Sequence, residues 1–517
     1  MRGSQLVTAG GVDAAGAVPP AAKPPLRKAD RLARFGLAAA VLGAFGAVAA
    51  DVYPLPVVIA IVTCIVFAAA HRWLLAWRTM LGSIILVILF IPIKRYELPV
   101  HLPLQLEPYR ILVLATGAGL IGSLLIDERL KWRKTPVDAP IAMLVVAIAL
   151  SVMTRSDHIL GHGMNEYVAR YCLFFASYIV VFYLMTLALT KRSDVEALVR
   201  LLVAGAAVVA VATIYQSRTG YNIFDHLQQW IPILRFNGIP YVTDRGGGAR
   251  AYGSAQHPIA MGAALMMLVP LGIYLVRKTG QKRWWLATLL LLLGALATKS
   301  RTGIIMMVIL IIVIWILKPA ATRRMIPKLL PLLIVVHVAL PGTISTFKNT
   351  FFPTGGIVAS ETQTDATWRV NYGRGRIGEW DPALKEWAHT PLFGQGVGTR
   401  VNDLKDPKFN APILDDQWLG SILDIGAFGL VALLWFFTLA IRKLGRLARR
   451  DDSDDGWLLT ALTASIASYA FGMLTFDAFN FVQVTMLMFL LVAFGVVMLR
   501  AHEDTQKAAA EAEKARA

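Results

Sequence analysis

The residues of this chain best placed to do chemistry are arginines and carboxylates set against apolar runs. Ser300-Arg301-Thr302-Gly303 separates two such runs. An arginine at that depth is costly in hydrocarbon and should face a polar cavity or a bound anion; the alternative is a guanidinium snorkelling to the interface. Residues 216–257 carry Arg218, Arg235, Arg245 and Arg250, with the run Gly246-Gly247-Gly248. Residues 342–415 carry Arg369, Arg374, Arg376, His389, Arg400 and the pair Asp415-Asp416. Gly394, Gly396 and Gly398 form a G-x-G-x-G run, but no strand precedes it, which excludes a dinucleotide fold. These glycines read instead as a tight loop. Asp451 to Asp455 contains a D-x-D pattern able to bind a metal, yet beside Arg449 and Arg450 it reads as a solvated charge run. His337, inside an apolar run, reads as a neutral histidine bonded to a neighbouring helix, and Asp477 as a turn residue.

The elements that must hold these residues follow from composition. The chain has 517 residues, 51 Lys and Arg against 33 Asp and Glu, and a net charge of +18. Hydrophobic residues make up 56% and charged residues 16%, and mean hydropathy is +0.58. Ordinary soluble domains carry roughly 25% charge, so a soluble globular enzyme is excluded. A disordered chain is excluded by the same hydrophobicity. The basic charges sit in short clusters between apolar segments, which argues for orientation in a membrane and against nucleic acid. Cys64 and Cys172 both lie in apolar runs and form no disulfide framework.

A membrane crossing takes about 17–25 apolar residues. Fourteen candidate spans result, near 34–50, 54–70, 78–93, 109–126, 138–153, 169–190, 195–215, 258–276, 284–298, 302–317, 327–343, 416–441, 457–476 and 480–499. With the N-terminus inside, 31 Lys and Arg fall in inner segments and 19 in outer ones, with Arg200 inside a span. This asymmetry places both termini in the cytoplasm. The expected fold class is an all-α integral membrane protein of about 14 transmembrane helices with two long outer loops. The organisation is a disordered cytoplasmic tail over 1–33, N-terminal transmembrane helices over 34–215 and an outer loop over 216–257. Helices over 258–343, a large outer loop over 344–415, C-terminal helices over 416–500 and a cytoplasmic tail over 501–517 follow. Long loops usually carry function. Helix-like spacing around 376–388 predicts that the second loop is partly folded.

Four segments together resemble the O-antigen ligase and polysaccharide polymerase family, multispanning inverting glycosyltransferases of the GT-C type. They are RAYGSAQHP from Arg250 to Pro258, SRTG from Ser300 to Gly303, Arg376-x3-Trp380 followed by HTPLFGQGVG from His389 to Gly398, and DQWL from Asp416 to Leu419 running on to Gly426 and Gly429. Each is weak alone; their shared order, all on the predicted outer face, is specific. The resemblance covers roughly 200–440.

The resemblance implies transfer of a glycan from a polyprenyl diphosphate to an acceptor hydroxyl at the outer face of the cytoplasmic membrane. Its partners are a polyprenyl-diphosphate-linked glycan donor, a glycan or lipid acceptor and membrane lipids. It implies no metal and no cofactor, because fixed arginines can meet the charge that develops on the leaving diphosphate. Arg250 and Arg301 match the family's arginines, and Arg376 matches a further basic position. The family's ligases place a histidine in an H-N-x-x-L pattern as base; this chain departs from it with Asp416, Gln417 and Leu419. Asp416 is therefore either a base or the N-cap of the following helix. His389 and His257 are alternative bases or structural contacts, and Tyr252 and Trp418 either stack on sugar rings or anchor the interface. A lipid-linked glycan transporter and a non-catalytic envelope-assembly subunit are the competing readings. A transporter should show internal repeats and broken helices, and no repeat relates the halves.

Overall fold

The computed structural model describes residues 76–98, 107–126, 132–238, 250–323, 380–400 and 414–514. The predicted spans near 34–50, 54–70 and 327–343 lie outside them, as do Arg245, His337, Arg369, Arg374 and Arg376. Along the described chain run α1 (Trp77–Phe90), α2 (Pro108–Ile126), α3 (Asp138–Thr154), α4 (Ser156–Gly161), α5 (Asn165–Ala188) and α6 (Arg192–Thr219). Then come α7 (Pro258–Thr279), α8 (Lys282–Ala297), α9 (Arg301–Leu317), α10 (Trp380–Trp387), α11 (Gln417–Arg450), α12 (Asp454–Gly472) and α13 (Val482–Lys514). Each predicted span among the described residues coincides with a helix. Among those residues seven helices, α2, α5, α6, α7, α11, α12 and α13, are long and apolar enough to cross a membrane. Helices α1, α3 and α9 are shorter apolar helices. The chain is a mostly helical, multi-pass membrane protein.

Helix α13 is the most enclosed, with 94% of its apolar window buried, and α12 follows at 83%. Helix α13 packs on α5, α6, α7 and α12, and α12 packs in turn on α7, α9 and α11. Polar side chains tie these apolar faces together. Ser465 on α12 donates to the Met267 carbonyl of α7 at 2.6 Å, and Tyr469 meets Thr485 of α13 at 2.8 Å. Such bonds between membrane helices contribute about 0.6–2 kcal/mol each.

The segment expected as an open outer loop after α6 is ordered in part. Gly220, in left-handed conformation, ends α6. A 3-10 helix, Ile223–Gln229, then leads to β2 (Arg235–Phe236), which pairs antiparallel with β1 (Tyr96–Glu97). Alternation over two residues is too short to register as a strand in the sequence.

Helix α11 is broken at Gly426, where φ is 65° and ψ −171°. The break leaves ladder groups open, and residues 391–395 fill them. Gln395 N–H donates to Leu423 O at 2.8 Å, while Pro391 O and Leu392 O accept from Ala427 and Phe428 at 2.8 and 3.1 Å. The two backbones approach so closely that a Cβ at Gly426 would lie 2.2 Å from Leu392 O, and one at Gly394 2.5 Å from Leu423 O. Irregular backbone survives at such depth only inside protein or along a wet cavity. Gly426→Ala should therefore lower the thermal midpoint in detergent, with about 1–3 kcal/mol lost to backbone strain alone. Gly119→Ala on α2, where an added Cβ meets nothing within 4 Å, should leave the midpoint unchanged or raise it slightly.

Candidate active site

The turn joining α12 to α13, residues 473–481, is where the separated motifs meet. It consists of two short 3-10 turns, Met473–Thr475 and Ala478–Asn480, with extended Phe476 between them. Its backbone groups are bonded from several elements. The Gln417 side-chain oxygen accepts from Phe479 N–H at 2.6 Å, and the Tyr178 hydroxyl donates to Phe479 O at 2.9 Å. Gln256 and Lys94 both donate to Asn480 O, at 3.1 and 2.9 Å. The His257 ring stacks on Phe481, centroids 5.5 Å apart. Thr475 Oγ1 and Thr302 Oγ1 lie 2.9 Å apart. Three of the four sequence motifs, around His257, Thr302 and Gln417, thus touch one turn.

Arg301 is the first residue of α9, directly after the N-cap Ser300. The preceding turn places Lys299 at φ 51°. Gly262 of α7 lets this turn approach, since a Cβ there would lie 2.7 Å from Thr298 Oγ1. Arg250 is 8% exposed, and its Nε lies 3.5 Å from Thr298 O, a long contact with the same turn. Both arginines thus belong to the N-terminus of α9, whose first amides have no side-chain cap and whose dipole adds positive potential.

Asp416 is 2% exposed and caps α11: its Oδ1 accepts from Trp418 N–H at 2.9 Å and Leu419 N–H at 3.2 Å. Trp418 donates through Nε1 to Ala470 O at 2.9 Å and packs edge-on against Phe437. His257 caps α7, its Nδ1 accepting from Ile259 N–H at 3.2 Å. Tyr252 is buried, with its hydroxyl on Asp225 at 2.5 Å and the Arg95 guanidinium 4.3 Å over its ring. Arg95 completes this cluster by pairing with Asp225 at 2.8 Å and donating to Gln256 O. His389 is exposed just after α10. The Asp451–Asp455 run lies away from the turn, tied to Lys318 and Arg192. Among the described residues no three His, Cys, Asp or Glu side chains gather as a metal site.

Sequence reasoning missed Lys94, Asp424 and the reach of Asp477. Lys94 Nζ donates to both the backbone and side-chain oxygens of Asn480. Burial pushes its ammonium down to about 8, opposed by Asp477 and Glu107 and reinforced by Arg170 and Arg110. Burial also pushes the Asp477 and Glu107 carboxyls up. Asp424 sits in α11 two residues before its break, 8% exposed. A carboxylate inside an apolar helix was the available signal.

Residues 286–434 match the family model described as O-Antigen ligase. The match includes Arg301, Asp416 and Asp424, and leaves Arg250, Tyr252 and His257 upstream of it. No curated protein matches the chain.

Because the Lys94 ammonium is disfavoured in the fold, the unfolded chain binds more protons between about pH 8 and 10.5, and stability rises with pH across that window. Lys94→Gln should remove this contribution. Melting curves at about pH 7.5 and 9.5 should show wild type gaining on the variant at the higher pH.

Proposed function

From an O-antigen ligase domain at residues 286–434 in a multi-pass membrane chain with a glycosyltransferase-like role in polysaccharide biosynthesis, we propose a specific activity. The protein transfers or polymerises a polyprenyl-diphosphate-linked glycan onto an acceptor hydroxyl at the outer face of the cytoplasmic membrane. The observation that carries this reading is the convergence of the Arg250–Pro258, Ser300–Gly303 and Asp416–Leu419 motifs on the 473–481 turn. In this reading that end of the bundle faces outward, both termini are cytoplasmic, and the full chain crosses fourteen times.

The chemistry follows from charge. The acceptor oxygen attacks the anomeric carbon as the bond to the diphosphate breaks, inverting the centre. Negative charge grows on the departing diphosphate, where Arg250, Arg301 and the α9 N-terminus meet it, with no metal required. Asp416, oriented by two amides, takes the hydroxyl proton. Arg376 belongs to this reading as a further cation of the outer loop. His257, Tyr252 and Trp418 act as positioning residues, since each is engaged in packing or hydrogen bonds, while exposed His389 is left to contact substrate.

A transporter for the same lipid is the second reading, favoured by the broken α11 with Asp424 beside the break. Full-length protein in nanodiscs with lipid-linked glycan from its host separates the two. Release of polyprenyl diphosphate with glycan moved to an acceptor is expected, insensitive to EDTA. Arg301→Ala should cut turnover by about 10²-fold or more, and Asp416→Asn should do likewise. Full activity in Arg301→Ala would remove the arginine site. Flux of labelled lipid across vesicles without product would establish the transporter. The acceptor that gains glycan distinguishes polymerase from ligase.

A further inference from the structure

The last turns of α11 carry charge that the described chain leaves uncompensated. Arg442, Lys443, Arg446, Arg449 and Arg450 are five cations within nine residues. They spread over about 12 Å of helix, and all five are exposed. The opposite face, with Phe437, Ala440, Leu444, Gly445 and Ala448, is buried. Gly445 sits against Thr463 of α12 and Leu317 of α9. Packing on those helices turns the basic face outward.

Like charges three and four residues apart on a helix repel one another, and acids nearby ordinarily relieve this. Here the acids are committed elsewhere. The run Asp451 to Asp455 follows directly in sequence. Yet Asp451 accepts from Ser453 N–H at 2.8 Å, Asp452 pairs with Lys318 at 2.5 Å, and Asp455 pairs with Arg192. Asp454 lies in the first turn of α12, where a carboxylate meets the helix dipole. Cations of neighbouring segments are matched: Lys278 and Arg200 by Glu196, and Arg133 by Asp504. Among the described residues no carboxylate pairs with any of the five on α11. The face suits an anion from outside the chain.

The rest of the stripe states which anion. Val431, Trp435, Thr438, Arg442, Arg446 and Arg449 follow one another by steps of four, three, four, four and three residues, so they share one side of the helix. Val431, Leu434, Trp435 and Thr438 are exposed too. On a membrane-spanning helix such apolar side chains meet acyl chains, and a tryptophan suits the approach to the headgroups. About 6 Å, one turn, separates Thr438 from Arg442. The stripe therefore passes from hydrocarbon to cations within one turn. A soluble anion would use only its basic half. A phospholipid uses both, with tails along Val431 to Trp435 and a phosphate between arginines that grip its oxygens with paired donors.

We propose that the outward face of α11 from Val431 to Arg450 is a binding surface for anionic phospholipid. The assignment is independent of the transferase reading, and its test needs no turnover.

The test places a benzophenone amino acid at Thr438 of the full-length protein. Nanodiscs carry equal small fractions of radiolabelled phosphatidylglycerol and phosphatidylcholine. Photo-crosslinking at Thr438 should favour phosphatidylglycerol by about fivefold or more, the worth of one cation near an anionic surface. The same probe at Val208, exposed in the middle of α6, should capture both lipids equally. The preference at Thr438 should vanish in the triple variant Arg442→Gln, Arg446→Gln, Arg449→Gln and persist when the same three become lysine. It should also fall as sodium chloride is raised. Melting in pure phosphatidylcholine discs should be the same for wild type and the glutamine variant. If that variant fails to fold, the contrast between Thr438 and Val208 and its salt dependence decide alone. Equal capture of the two lipids at Thr438, or a preference that survives the glutamine variant, would overturn the proposal. So would loss of the preference on adding inorganic phosphate at constant ionic strength, which would mark a site for soluble anions instead.

Discussion

The peptide groups of the short turn between α12 and α13 must be hydrogen-bonded at an end of the bundle that apolar helices enclose. An unsatisfied buried amide or carbonyl there costs several kcal/mol in hydrocarbon. The chain meets this with side chains recruited from far away in sequence: Tyr178, Gln256, Gln417 and Lys94 reach Phe479 and Asn480. Each of these residues belongs to a different segment, so satisfying one turn fixes the relative position of all of them. The arginines near Thr298, the cap at Asp416 and the buried carboxylate of Asp424 are placed by segments that this requirement ties together.

Two electrostatic environments adjoin this turn. Around the start of α9, Arg250 and Arg301 lie beside a helix N-terminus, and the potential is positive. On the side of α5 and α11, cations and carboxylates alternate: Lys94, Glu107, Arg110, Arg400, Asp424 and Asp477 act on one another.

The break in α11 shows how irregular backbone is accommodated within the bundle. Gly426 turns the backbone out of the helix, and the loop before it supplies the missing partners through Pro391, Leu392 and Gln395. Three further glycines, Gly394, Gly396 and Gly398, hold positive φ where the loop presses on α11 and α5. Pairing loop against broken helix satisfies Leu423 O and the amides of Ala427 and Phe428.

Much of the architecture is written in composition and period. Apolar runs of crossing length end at Gly220 and Gly280 or begin at His257-Pro258, so helix positions among the described residues match the hydropathy closely. The arginines and Asp416 were visible as polar residues at the ends of those runs. The roles of Tyr252 and Trp418 were not, because an aromatic side chain's partner, Asp225 or Ala470, lies tens of residues away. Asp477 read as an ordinary turn residue for the same reason, and Asp424 was hidden within a run that scored simply as a span. Local sequence determines which segments are helical and which residues are costly to bury. Which costly residues meet depends on contacts between distant segments, and only the tertiary structure, through the 473–481 turn and the broken α11, decides that.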